Sequence, residues 1–295
     1  MPRAILDRMN HASYQVRQTV LSEFRAAADD VQREDFAQLL QSSYKDVREG
    51  VLDVLSAQKL QSEDAWLSAI TAHCPSSPDQ KPILSIGLLA LLARFEAVSD
   101  PALMRFGETC LASGMADLQY QAIFFLEMHN DESDAYKDAL PGLLEAADED
   151  VRIIAVQAVA RLAPDWGAKK LADHAQHARG LEAFHTLLAR LSLGDAATRQ
   201  TLEDELIRHL YDDRFCYPAI LALKQYGSAQ AVEHLLRIAG SFFGEPTIRI
   251  VAADAAAKLG SPEAITWLRK FAKKSGNPEY ARQVLAAYDA VHSEG

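Results

Sequence analysis

One pattern recurs about every thirty-three residues along the 295-residue chain, and it constrains the fold more than any other feature. The clearest copy is Glu149-Asp150-Val151-Arg152-Ile153-Ile154-Ala155-Val156-Gln157-Ala158-Val159-Ala160-Arg161-Leu162. Val151, Ile154, Ala155, Ala158, Val159 and Leu162 recur at spacings of three and four, which is the apolar stripe of an amphipathic helix. Pro164-Asp165 interrupts the stripe, and a second helical stretch runs from Gly167 to Ala178. Residues Glu245 to Gly260 repeat the layout around Ile248-Arg249, with a second helix predicted from Pro262 to about Lys274.

With Val151 and Ile248 as anchors, the register extends to Val16, Val47, Leu84, Leu118, Leu181, Phe215 and Tyr280. The successive intervals are 31, 37, 34, 33, 30, 34, 33 and 32 residues. They leave no space for an unrelated domain, so residues 1–295 read as a single array of about eight helical hairpins plus a terminal helix. A short helix is marginal alone in water, and one hairpin cannot cover its own apolar face, so neighbouring hairpins must stack. Ala155, Ala158, Ala252 and Ala255 allow close approach. Gly227-Ser228, Gly260-Ser261-Pro262 and Gly276-Asn277-Pro278 break the helices where turns are needed. Ser261 ahead of Pro262 and Glu263 reads as a helix cap with proline in the first turn. Period-two alternation of any length is absent, and the fold class is all-α.

Asp150-Val151-Arg152 followed by Ala155, Ala158 and Leu162 resembles the HEAT repeat, as does Ile248-Arg249 with Ala252, Ala255 and Leu259. The closer likeness is to the short bacterial form also found in phycobilisome-lyase-like proteins. The resemblance implies a right-handed α-α superhelix, an α-solenoid with the Val-Arg helices on its convex side and the second helices lining its concave side. The repeats at 84, 118, 181 and 215 lack the Arg after the anchor.

Charge divides unevenly. Residues 1–150 hold 12 Lys+Arg against 25 Asp+Glu, and residues 151–295 hold 18 against 16, within a net charge of −11. Phosphate backbones are bound through Lys and Arg, so this balance argues against general nucleic-acid binding. No run of about eighteen apolar residues marks a membrane span, and the N-terminal residues lack the apolar core of a secretory signal. Cys74, Cys110 and Cys216 are odd in number and widely spaced, which fits reduced thiols in a cytoplasm.

Catalytic signatures are missing: there is no phosphate-binding GxxxxGK[ST] loop, no GxGxxG, no HExxH and no GxSxG. None of the nine histidines precedes a Glu, which removes the iron-binding pattern of the helical-repeat hydroxylases. His174 and His177, three apart beside Asp173, are the best metal pair, but two histidines do not make a site. Neither a metal nor a cofactor is expected. Asp148-Glu149-Asp150 and Asp131-Glu132-Ser133-Asp134 read as helix starts, where carboxylates face the positive dipole end.

The expected function is a non-enzymatic, cytoplasmic scaffold or adaptor that binds another protein on the concave face, with the acidic N-terminal half meeting a basic surface. Two alternatives come from other classes: a phycobilin lyase-type protein that attaches a tetrapyrrole, carried by the resemblance alone, and a DNA-binding protein using the C-terminal basic cluster. Candidate partner contacts are Trp66 and Trp267, each nineteen residues after its anchor, and Phe242 and Phe243 in a glycine-bounded loop. To these are added the basic residues Arg269, Lys270, Lys273 and Lys274. Each Trp has a competing role as a plug between repeats, and the two Phe rings have one folded back onto the core.

Overall fold

Apolar residues at every third and fourth place form helices where the register puts them. In the computed structural model, which describes residues 7–26, 33–57, 63–95, 98, 100–129, 133–241, 244–274, 279 and 281–286, no strand occurs among the described residues. The helices are α1 (Tyr14–Ala26), α2 (Arg33–Leu40), α3 (Lys45–Ala57), α4 (Glu63–His73), α5 (Pro82–Leu92), α6 (Pro101–Leu111), α7 (Ala116–Met128) and α8 (Asp134–Leu143). They continue as α9 (Glu149–Leu162), α10 (Gly167–His174), α11 (Gly180–Leu193), α12 (Ala196–His209), α13 (Cys216–Tyr226), α14 (Val232–Gly240), α15 (Pro246–Lys258) and α16 (Pro262–Lys274).

Val16, Val47, Leu84, Leu118, Val151 and Ile248 are each the third residue of a first helix, and Phe215 is the N-cap of another. Four residues on, Val20, Val51, Leu88, Ala122, Ala155, Ala219 and Ala252 are fully buried. One anchor is off by a place. Leu181 is exposed, and the buried series of α11 runs through Phe184 and Leu187, so the register there starts at Gly180. Gly180 begins the helix at a positive φ of 54°, a conformation open to glycine. Tyr280 lies outside the described residues.

The helices gather into two compact units, Met1–Pro164 and Asp165–Gly295. In the first, α1, α3, α5, α7 and α9 stack in order, each on the one before. Second helices fill in alongside: α2 packs on α3 and α5, α6 on α7, and α8 on α9. Glycine sets some of the spacings. A Cβ on Gly50 would come within 2.8 Å of Leu21, and one on Gly87 within 3.1 Å of Leu40. In the second unit α10 packs on α11, α11 on α12 and α13, α13 on α12 and α15, and α15 on α14 and α16. Its core joins Phe184, Leu206, Ile220, Leu223, Val251 and Leu268.

Caps close the helices as the sequence implies. Asp148 accepts from the Val151 amide at 3.1 Å, and Ser133 rather than a neighbouring Asp accepts from the Tyr136 amide at 3.1 Å. At Gly260 (φ 93°) the Ser261 amide reaches back to the Ala256 carbonyl, and the Ser261 hydroxyl then accepts from the Ala264 amide at 3.3 Å. The proline-rich connection after α4 is shaped rather than loose. It holds a 3-10 turn at Pro78–Gln80, and Asp79 accepts a hydrogen bond from Ser113.

The residue after the anchor has a common task. Arg152 Nη1 donates to the Ala146 and Ala147 carbonyls at 2.8 and 2.9 Å, Arg48 Nη1 to Ser42 O at 2.7 Å, and Arg249 Nε to Ala239 O at 2.9 Å. Arg17 Nη1 donates to His11 and Ala12 carbonyls while its Nε binds Asp46. Each satisfies carbonyls left open where the chain enters the first helix. In two of the repeats without Arg, a different side chain donates near the start of the first helix. Gln119 donates to Leu111 O and Ser113 O, and the Ser85 hydroxyl to Lys81 O.

Candidate functional site

Among the expected contact residues, Trp267 is the one whose surroundings are best defined. Leu268 and Ile265 turn α16 onto the core, so Trp267 falls on its flank, half-buried and stacked on Phe271 with ring centres 4.7 Å apart. Arg249 of α15 lies over both rings, 5.4 Å from the Trp267 centre and 5.3 Å from that of Phe271. The indole therefore fastens α15 to α16 and shows only part of its surface to solvent. Arg269, Lys270 and Lys273 are exposed on the same helix. Lys274 is its last residue, and its side chain lies outside the described residues, as does that of Trp66 in α4. Phe242 and Phe243 also lie outside them.

The histidine pair does not act as a unit. His174 Nε2 is buried 2.9 Å from Glu182 Oε1, off the line of a hydrogen bond, while His177 is exposed. Among the described residues no group of three His, Cys, Asp or Glu comes together to hold a metal ion. Burial pushes the Cys74 and Cys110 thiols up to about 12, helped at Cys74 by the charge of Asp100 and at Cys110 by Cys74 and Asp79. These are packed thiols, not nucleophiles.

A feature the sequence reading missed sits on the opposite kind of helix. Tyr120, Phe124 and Met128 of α7 are 41, 40 and 50% exposed and fall four residues apart, so they form one stripe on a single face. The anchor-plus-two and anchor-plus-six places they occupy carry Glu49 and Asp53 in α3 and Ile153 and Gln157 in α9. The signal was available as large apolar residues at both places, where α3 has two acidic residues and α9 has Gln157 at the second. Tyr217 and Leu221 of α13, at the same two places in the second unit, are also exposed. Around the α7 stripe, Arg161 of α9 makes a two-bond fork to Glu127 of α7 at 2.7 and 2.8 Å, and Arg94 pairs with Asp53 at 3.2 Å.

Stacked helices, with a side-chain donor after the anchor in six of the repeats, define an all-α helical-repeat protein. Residues 204–288, from α12 through α16 and beyond, match a family model described as HEAT repeats. The match falls within the second unit, so it is residues 204–288 that are similar to HEAT repeats. No curated protein matches it. Among the described residues no helix is long and apolar enough to cross a membrane.

Proposed function

We propose that this chain is a non-enzymatic scaffold or adaptor, one array over residues 1–295, that binds another protein. HEAT repeats are in general protein-interaction modules, and that family match is the observation that carries the reading. The uneven charge gives it direction. With 25 Asp+Glu against 12 Lys+Arg in residues 1–150, the N-terminal half attracts a basic surface and does so less strongly at high salt. The contact residues of this reading are Trp66, Trp267, Phe242 and Phe243, of which Trp267 shows part of its ring to solvent. The basic residues Arg269, Lys270, Lys273 and Lys274 meet an acidic part of the same partner. The setting is the cytoplasm.

Affinity capture from native extract at low and at high salt tests the reading, with Lys270→Glu/Lys273→Glu run alongside. A partner retained at low salt, weakened at high salt and lost with the double variant supports it. A partner indifferent to both, or none, removes the charge-directed scaffold.

A further inference from the structure

We propose a second docking surface on the outer face of α7, occupied by a basic amphipathic helix of a partner protein. The inference rests on the scaffold reading for a protein ligand drawn to the acidic N-terminal part, and it uses first helices, not second ones. Tyr120, Phe124 and Met128 are large, exposed and aligned over about 12 Å of helix, enough to seat two or three turns of another helix. Neighbouring first helices extend the apolar surface at the same register. Ile86 and Ala90 of α5 are half-covered on one side, and Ile153 of α9 is nearly buried on the other. An apolar ridge with aromatic and Met side chains is the form in which helices are recognised, through residues spaced by three and four.

Charge around the ridge selects the occupant. At the N-terminal rim of α7 and α9, Asp117, Glu149 and Asp150 are all exposed. At the other rim the two arginines are engaged, Arg161 by Glu127 and Arg94 by Asp53, so their charge is compensated within the protein. Residues 1–164 as a whole hold 14 Lys+Arg against 25 Asp+Glu, a net of −11. A helix whose apolar face is bordered by Lys or Arg satisfies the ridge and the rim together. A second copy of this unit would bring two surfaces of the same sign face to face, and an anionic lipid surface would be repelled in the same way.

The test uses the full chain and fluorescence anisotropy of a labelled helical peptide with Leu at i, i+3, i+4 and i+7 and Lys along both borders. A matched peptide carries Glu in place of Lys. The Lys peptide is expected to bind, and the Glu peptide to fail. Phe124→Ser/Met128→Ser should weaken binding by about tenfold or more with the thermal midpoint held, because both side chains are exposed. Asp117→Lys/Asp150→Lys should weaken it and flatten its salt dependence, while Lys270→Glu/Lys273→Glu should leave it unchanged. The proposal is overturned if the Lys peptide does not bind, if Phe124→Ser/Met128→Ser binds it as well as the parent, or if the two peptides bind alike. It is equally overturned if sedimentation shows a dimer that Phe124→Ser dissolves, or if the chain floats with phosphatidylserine vesicles. None of these outcomes touches the capture experiment on the second-helix face, so the two readings fail separately.

Discussion

Arg249 holds its guanidinium 5.4 Å from the centre of the Trp267 ring while its Nε donates to the Ala239 carbonyl, so one side chain joins α14, α15 and α16. Trp267 is thus a structural residue with an exposed edge. Trp267→Ala should lower unfolding free energy by about 2–3 kcal/mol, less than for a fully buried Trp. Arg249→Ala should cost about 1–2 kcal/mol through the lost hydrogen bond and ring contact. Urea denaturation measures both, and a Trp267→Ala midpoint equal to the parent's would show that the indole fastens nothing.

The donor after the anchor gives a second expectation. Arg152→Ala frees the Ala146 and Ala147 carbonyls, which are partly open to water, so the loss should be about 1 kcal/mol. Gln119→Ala, which frees Leu111 O and Ser113 O, should cost a similar amount although its repeat has no Arg. Thermal denaturation compares the two, and a neutral Gln119→Ala would separate that repeat from the others.

How far the fold could be read in advance depended on the kind of signal. Helix positions followed from apolar spacing, and the anchors were right wherever Val, Leu or Ile opened a helix with its fourth successor buried. Leu181 misled because Gly180 has no side chain to mark the true first position, and Phe184 stands where the other copies have Val, Leu or Ala. The task of Arg152 and its counterparts was hidden, since the carbonyls it binds exist only once the chain has turned into the helix. Trp267 stood out by its spacing from the anchor as a contact or a plug, but its contact with Arg249 crosses from the preceding helix. The Tyr120, Phe124 and Met128 stripe escaped because a helix that is apolar on both sides looks simply more buried.

Asp46 predicts a pH response. Partial burial by itself would raise its carboxyl, but hydrogen bonds from Arg17 and Gln18 and the Arg17 charge carry it below 3.8. A carboxyl lowered in the folded state contributes stability that is present above 3.8 and is lost as pH falls through the folded value. Urea midpoints taken from about pH 6 down to about pH 3 should therefore fall less steeply for Asp46→Asn than for the parent. Parallel curves would contradict the pairing.

The thiols give the opposite sign at the alkaline end. Cys74 and Cys110 titrate near 12 in the folded chain against 9.0 when free, so ionisation favours the unfolded chain as pH rises above 9.0. At about pH 8 their thiolate fraction is about a thousandfold below that of a free cysteine, and iodoacetamide should label them only after urea is added. Mass spectrometry of the native chain checks this, and rapid labelling of Cys110 without denaturant would contradict its burial.

Paired urea unfolding of Ala155→Glu and Gln157→Glu puts the repeat register at risk in one measurement. Ala155 is fully buried four residues past its anchor, whereas Gln157 is exposed two residues further on. Ala155→Glu should lose several kcal/mol by burying a carboxylate among apolar neighbours, and Gln157→Glu should move by about 0.5 kcal/mol or less. Equal losses from the two would mean that α9 does not face its neighbours as one copy of a stacked hairpin.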